Sequence, residues 1–337
     1  MDTTRNIGYI KVFFFLFFLI PLEKRSDELI NISDFQNNNI NQQKFNRSLD
    51  QNCRDKSFYR NLSTHPTYPK FGDVEMWKKF CREFIKTNNQ KNFISQNLKI
   101  NSLSENKGIL TGYYQPLLKV SFQKSSLYKY PILKKGEHLM IPRAQIPDAY
   151  EKNDVLCWAQ SDIEIFFLQI QGSGLGLLKS GKMVKISYSG NNGYKYTSIG
   201  KVLVEKSFLK KSGISAQKIK QWLENNPQKK NLIFNYNRRF IFFELSDFDN
   251  TYPKGSSNRE LIPRVSLAID NNIYPYGIPM LTLTEKEEYN LMVLTHDTGS
   301  AIRGKNRGDL FLGRGEKAGI EAGMLSEELK ILYLTPN

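Results

Sequence analysis

His296 to Gly313 reads HDTGSAIRGKNRGDLFLG. An apolar run, NLMVLT, leads into it, and a second, DLFLG, closes it. Between them lie glycines and charges, so the stretch predicts strand, glycine-rich loop, strand. Two aspartates punctuate it, Asp297 where the first strand ends and Asp309 where the second begins. Asp309 is flanked by aliphatic residues and Phe311. Such surroundings desolvate a carboxyl and raise its pKa, which suits a general acid. A turn-capping aspartate is the plainer reading of the same residue. The DTGS of Asp297–Ser300 also matches the start of an aspartic-protease loop. That chemistry needs a second such loop to share a proton, and the chain carries one DTG.

The same rhythm continues on both sides. RVSLAID, GIPMLTL, GDLFLG and KILYLTP are short strands separated by proline and glycine turns, interrupted by one short helix, EKAGIEAGM. This spacing predicts a barrel or sandwich. Further upstream, GILTGYYQPLLKVSF reads as strand, kink, strand. IEIFFLQIQGSG reads as a buried strand ending in a glycine turn, and LLKSGKMVKISYSG as a hairpin turning at Ser180-Gly181. FIFFEL is a further strand. Helices are expected over DVEMWKKFCREFIKTNN, capped by Asp73, over SIGKVLVEKSFLKK, and over AQKIKQWLENN, capped by Ser215.

The N-terminus differs from the rest. Val12 to Leu22, VFFFLFFLIPL, is apolar and follows Arg5 and Lys11. Residues 1–22 are therefore expected to be an export signal or an N-terminal anchor, and no small-x-small cleavage site follows to decide between them. Residues 23–52 are polar and asparagine-rich and are expected to be a linker.

Of the 337 residues, 40% are hydrophobic and 12% aromatic, enough for a sizeable core. The net charge of +15 raises nucleic acid as a partner, but there is no arginine-rich helix or RNP-like aromatic motif to support it. An anionic cell surface or a lysine-rich composition accounts for the charge equally well. Cys53, Cys81 and Cys157 allow one disulfide and a free thiol, or three thiols. The three histidines, His65, His138 and His296, are scattered and give no metal-ligand pattern.

Two motifs remain. QGSGLG (Gln171 to Gly176) has the wrong glycine spacing for a dinucleotide site, and no helix is predicted after it. Its glycines suit a tight turn or the close approach of a sugar polymer. In TGYYQP (Thr111 to Pro116) adjacent tyrosines of a strand face opposite ways, so one is free to stack on a sugar ring.

Taken in order, TGYYQP, FFLQIQGSG, SYSGNNGYKYTSIGKVL, RVSLAIDNNIYPYGIPM and LMVLTHDTGSAIRGKNRGDLFLGRGEKAGIEAGM resemble the membrane-bound lytic murein transglycosylase A family over roughly residues 107–335. The resemblance implies a mainly β protein: a six-stranded double-psi β-barrel with an inserted second β-rich domain and few helices. The barrel would take residues 53–118 and 256–337, and the substrate-binding insertion residues 119–255. The implied activity is non-hydrolytic cleavage of the β-1,4 bond between N-acetylmuramic acid and N-acetylglucosamine, leaving 1,6-anhydro ends.

Asp309 matches the catalytic acid/base of the family, and Asp297 an acidic position expected to support it electrostatically. Thr111, Tyr114, Gln171 and Ser173, with Gly299, Ser300 and Ala301, are the substrate-binding candidates. Ser300 stands where the family often has a second glycine. The cysteine that carries a lipid anchor in the family has no counterpart at the end of the apolar run; Cys53 lies too far along. Peptidoglycan glycan strands are the implied partner, with a membrane surface or wall-synthesis proteins as further candidates, in an exported, periplasmic monomer. No cofactor, metal or nucleic acid is implied. The alternatives are a non-catalytic wall-glycan-binding barrel and an aspartic protease using the DTGS loop.

Overall fold

A computed structural model describes residues 30–36 and 39–337 of the chain, and residues 32–337 form one compact unit. The expected signal or anchor at 1–22 lies outside the described residues. Among the described residues no helix is long and apolar enough to cross a membrane.

Four helices come first: α1 (Asn39–Arg54), α2 (Lys56–Thr64), α3 (Val74–Phe84) and α4 (Gln90–Asn97). Strands β1 (Leu98–Ser102) and β2 (Gly108–Gln115) follow. The chain then builds β3 (Leu117–Ser121), β4 (Tyr130–Leu133), α5 (Ile146–Ala149), β5 (Val155–Ala159), α6 (Asp162–Gln171), β6 (Gly174–Leu178) and β7 (Met183–Asn191). Helices α7 (Ile199–Glu205), α8 (Ala216–Asn225) and α9 (Pro227–Tyr236) lead to β8 (Ile241–Asp247). Last come β9 (Ser266–Ala268), β10 (Pro279–Leu283), β11 (Met292–Asp297), β12 (Arg307–Arg314), α10 (Gly315–Met324) and β13 (Ser326–Pro336).

Six strands close on themselves in the order β2-β12-β9-β11-β10-β13, with β13 returning to β2 and β1 added outside β13. The β2–β12 and β9–β11 pairs are parallel and the remaining pairs antiparallel. Closure leaves these six strands without an unpaired edge. Leu110, Leu267, Leu294, Leu310 and Leu329 fill the core of this barrel and are fully buried. This is the mainly β, double-psi barrel expected, and its β11–β12 connection is the stretch quoted first.

The other six strands form a separate sheet, β4-β5-β3-β6-β7-β8. Leu118, Val120, Ile132, Ile186 and Phe243 make its core, and α6–α9 carry a further apolar cluster around Phe166, Leu203, Leu223 and Ile233. Gln115 and Pro116 carry the chain from the barrel to this sheet, and residues 248–265 bring it back.

Three expectations are corrected. The polar tract through residue 52 is not all linker, because Asn39–Arg54 is helical. Phe45, Leu49 and Cys53 recur every fourth residue and are buried, while the asparagines and glutamines between them disguise the stripe. Asn52 is itself buried and its Nδ2 donates to Gly277 O at 3.3 Å, and Cys53 is bonded to Cys81 of α3. IEIFFLQIQ is also helix, not strand. Ser161 caps it by accepting from Glu164 N, and Gly172 ends it at φ 82°. Ile163, Phe166 and Phe167 face the helical cluster while Ile165 and Leu168 face the sheet. With two faces buried, the helix carries an apolar run that periodicity does not distinguish from a buried strand. The helix over SIGKVLVEKSFLKK is also shorter than expected and stops at Glu205.

Candidate active site

Strand β2 places Thr111 in parallel register with Asp309 of β12. The Thr111 hydroxyl donates to Asp309 Oδ1 and accepts from Arg307 Nη2 at 2.8 Å. Arg307 and Asp309 are two residues apart on one strand and so share a face. The Arg307 guanidinium also donates to Gly308 O and, at 3.3 Å, to Ile109 O.

Asp297 ends β11 at a register shift. Its Oδ1 accepts from Ser256 N at 2.9 Å, Ser256 Oγ at 2.8 Å and Thr298 N at 2.9 Å, and its Oδ2 from Tyr113 Oη at 3.1 Å. The returning chain lies close over this carboxylate because residue 255 is glycine. A Cβ there would sit 2.5 Å from His296 O and 3.2 Å from Asp297 Cβ.

The two carboxyls differ in environment. Burial raises Asp309 from 3.8 to about 6, against the opposing pull of Arg307 and the Thr111 hydrogen bond, and Asp297 adds to the rise. Burial also raises Asp297, but its four donors favour the charged form and oppose the rise. Burial raises Tyr113 and Tyr196, keeping both phenols neutral near neutral pH. His296 does not join the site. It is fully buried, its Nδ1 lies 2.9 Å from Ser266 Oγ, and burial lowers it to about 3.

Asp309 and Asp297 open into a cleft of about 1180 Å³ between the barrel and the second sheet. Thr111, Tyr114, Gln171, Ser173, Gly299, Ser300 and Ala301 all line it with them. Gln171 bridges its two walls, its Oε1 accepting from Tyr114 N at 3.0 Å. The tyrosine pair divides as a strand requires. Tyr113 reaches Asp297, whereas the Tyr114 ring packs on α10, where a methyl at Gly319 would come within 2.8 Å of it. Sequence reasoning missed Tyr113, Ser256, Tyr196 and Arg307. Arg307 carried a signal, the two-residue spacing from Asp309 along a strand; Ser256, 41 residues from its partner, carried none. Among the described residues no three His, Cys, Asp or Glu side chains converge as a metal site.

Two family models match the chain, the MltA specific insert domain over residues 135–244 and the 3D domain over residues 265–335. Membrane-bound lytic murein transglycosylase A of Vibrio cholerae is 32% identical over 231 residues, 64% of this chain. The chain spans 62% of the length of that curated relative. A membrane-bound lytic murein transglycosylase from Agrobacterium tumefaciens shares the fold at a TM-score of 0.77 and 24% identity, covering 88% of this chain and 93% of that one. The structure of E. coli MltA with bound chitohexaose aligns at a TM-score of 0.70 and 24% identity over 92% of each chain. With the insert domain and the 3D domain matched in order, the chain is similar in both sequence and fold to the membrane-bound lytic murein transglycosylase A family.

Proposed function

We propose that this protein is a peptidoglycan lytic transglycosylase with Asp309 as its one acid/base. Residues 53–118 and 256–337 would form the catalytic barrel, and residues 119–255 the glycan-binding insertion. The observation that carries the reading is the contrast between the two carboxyls: Asp309 titrates near 6, while Asp297 is held by four donors. Ordinary glycosidases divide their work between two carboxyls, one as acid and the other as base or nucleophile. Here Asp309 is poised near neutrality, and four donors oppose the rise that burial causes at Asp297.

One carboxyl suffices if the substrate brings its own nucleophile. Asp309, protonated, donates to the leaving oxygen of the glycosidic bond as C1 of the muramic sugar turns cationic. Asp297 provides fixed negative charge near that cation. The ionised Asp309 then accepts the proton of the muramic C6 hydroxyl as that oxygen bonds to C1. The product is a 1,6-anhydro ring, and no water is consumed. Holding O6 beside C1 supplies the advantage of an intramolecular attack. Thr111, Tyr114, Gln171, Ser173 and the loop Gly299–Ala301 line the cleft along which the strand would lie. Relatives named as murein transglycosylases, and a family structure holding chitohexaose, support a glycan as the occupant. The protein would then act in the periplasm, where the substrate is.

Incubation of purified sacculi with the full chain, followed by mass analysis of the soluble products, tests the reading. Anhydro-muropeptides are expected. Reducing ends would make the enzyme a hydrolase, and binding without release would make it a glycan-binding barrel.

A further inference from the structure

A threonine hydroxyl has one hydrogen to give and two lone pairs to receive, whereas a guanidinium only gives. Arg307 Nη2 therefore occupies a lone pair of Thr111 Oγ1, and the Thr111 hydrogen is left to point at Asp309 Oδ1. We propose that Arg307 is a positioning residue that fixes the direction of the Thr111–Asp309 hydrogen bond, so that the proton Asp309 transfers is carried on its other oxygen, Oδ2. The proposal rests on the reading of Asp309 as the acid.

Its force comes from what happens without Arg307. A protonated carboxyl is both donor and acceptor, and a lone threonine hydroxyl suits either. The acid proton could then sit on Oδ1 and be spent on Thr111, turned away from the glycosidic oxygen. With Arg307 in place, Oδ1 remains an acceptor in both protonation states, and the proton has one place to go. The arrangement is braced. The guanidinium donates to Gly308 O and Ile109 O, on the two strands that carry Asp309 and Thr111.

The remaining groups around Asp309 do not substitute for it. Asp297 on β11 repels its negative charge, and Tyr113 on β2 and Tyr196, ahead of α7, are phenols that burial keeps protonated, with the charge of Asp309 adding to the effect. Arg307 is the cation that acts on Asp309, so its removal also raises the proton affinity of the carboxyl.

Carbon NMR of full-length protein labelled at the aspartate carboxyls reads this directly, with the Asp309 signal assigned by its absence in Asp309→Asn. In Arg307→Met, which keeps length and deletes every donor, the Asp309 midpoint is expected to move up. Turnover on glycan strands should fall about tenfold at fixed fraction protonated, the worth of one charge-assisted hydrogen bond, with KM little changed. Arg307→Lys, a donor without acceptors, should recover most of both. A folded Arg307→Met with the wild-type Asp309 midpoint overturns the proposal. If Arg307→Met does not fold, Thr111→Val carries the test, since it deletes the relay and keeps the cation; there too an unmoved midpoint overturns it. Failure of the wild type to make anhydro ends would instead sink the proposed function, while the titration still reports on the relay.

Discussion

Thr111 and Tyr113 stand two residues apart on β2, and each gives its hydroxyl proton to a different aspartate, Thr111 to Asp309 and Tyr113 to Asp297. Alternate residues of a strand share a face, so one strand serves both carboxyls. The aspartates themselves sit on either side of β9, each in register with Ala268. Two inter-strand spacings put their backbones about 10 Å apart. The two carboxyls share no donor: Asp309 accepts from Thr111, and Asp297 from Tyr113, Ser256 and Thr298. In the proposed function the DTGS stretch is a supporting loop, not half of a protease site.

The first prediction separates the aspartates by function. Asp309→Asn should fold, retain glycan binding and lose at least about a hundredfold in turnover, since it deletes the general acid. Asp297→Asn should lose less, because it removes a charge but leaves the proton carrier. Release of anhydro-muropeptides, quantified per mole of enzyme, makes the comparison. Equal losses in two folded variants would reverse or merge the roles.

The second concerns stability and pH. Asp309 binds its proton more tightly in the folded state, near pH 6, than in the unfolded chain, near the ordinary carboxylate value. Between those values the folded state holds more protons, so stability falls as pH rises through the window. The full penalty at neutral pH and above is up to about 3 kcal/mol. Asp309→Asn has no such proton to lose. Chemical denaturation should show the variant more stable than wild type at pH 8, with the difference vanishing near pH 4. A variant less stable at pH 8 would contradict the origin of the raised pKa in burial.

A third prediction explains the glycine of TGYY. A Cβ on Gly112 would lie 2.6 Å from Leu312 Cδ1 and 3.0 Å from Ala322 Cα. Helix α10 packs that closely on β2 because nothing protrudes between them. Gly112→Val should cost about 1–3 kcal/mol, the usual range for overpacking. Urea denaturation measures it, and a cost near zero would mean that α10 moves aside freely.

The fourth uses the cysteines. Cys53 and Cys81 form a disulfide joining residues 28 apart, and Cys157 is buried, its thiol pushed up to about 12 by burial. The native protein should take up no alkylating reagent, and one equivalent when unfolded without reductant. Intact mass after each treatment checks both numbers. Cys53→Ser with Cys81→Ser should lower stability by about 3 kcal/mol.

Where one face of a segment was buried and the other wet, its structure was legible in the sequence. β11, β12 and β13 announced themselves by apolar runs between glycines, and α3 and α8 by Asp73 and Ser215 ahead of an apolar stripe. Asp309 was legible for the same reason, as a carboxyl set into such a run. α1 was hidden because its buried face is thin and includes Gln42 and Asn52. α6 was hidden because apolar residues bury two of its faces, against the sheet and against the helical cluster. Ser256 was illegible for a different reason: its value lies entirely in a fold-brought meeting with Asp297.

The contact between Thr111 and Asp309 spans 198 residues of chain. Every strand of the second sheet is synthesised between the two halves of the barrel wall that bring them together. Non-local pairings of this length must wait for the chain between them to be paid out. A growing polypeptide halted anywhere before β12 lacks Arg307 and Asp309, and its Thr111 hydroxyl has no carboxyl to meet. Synthesis past Asp309 is thus itself a safety catch, since no shorter chain can carry the proposed acid.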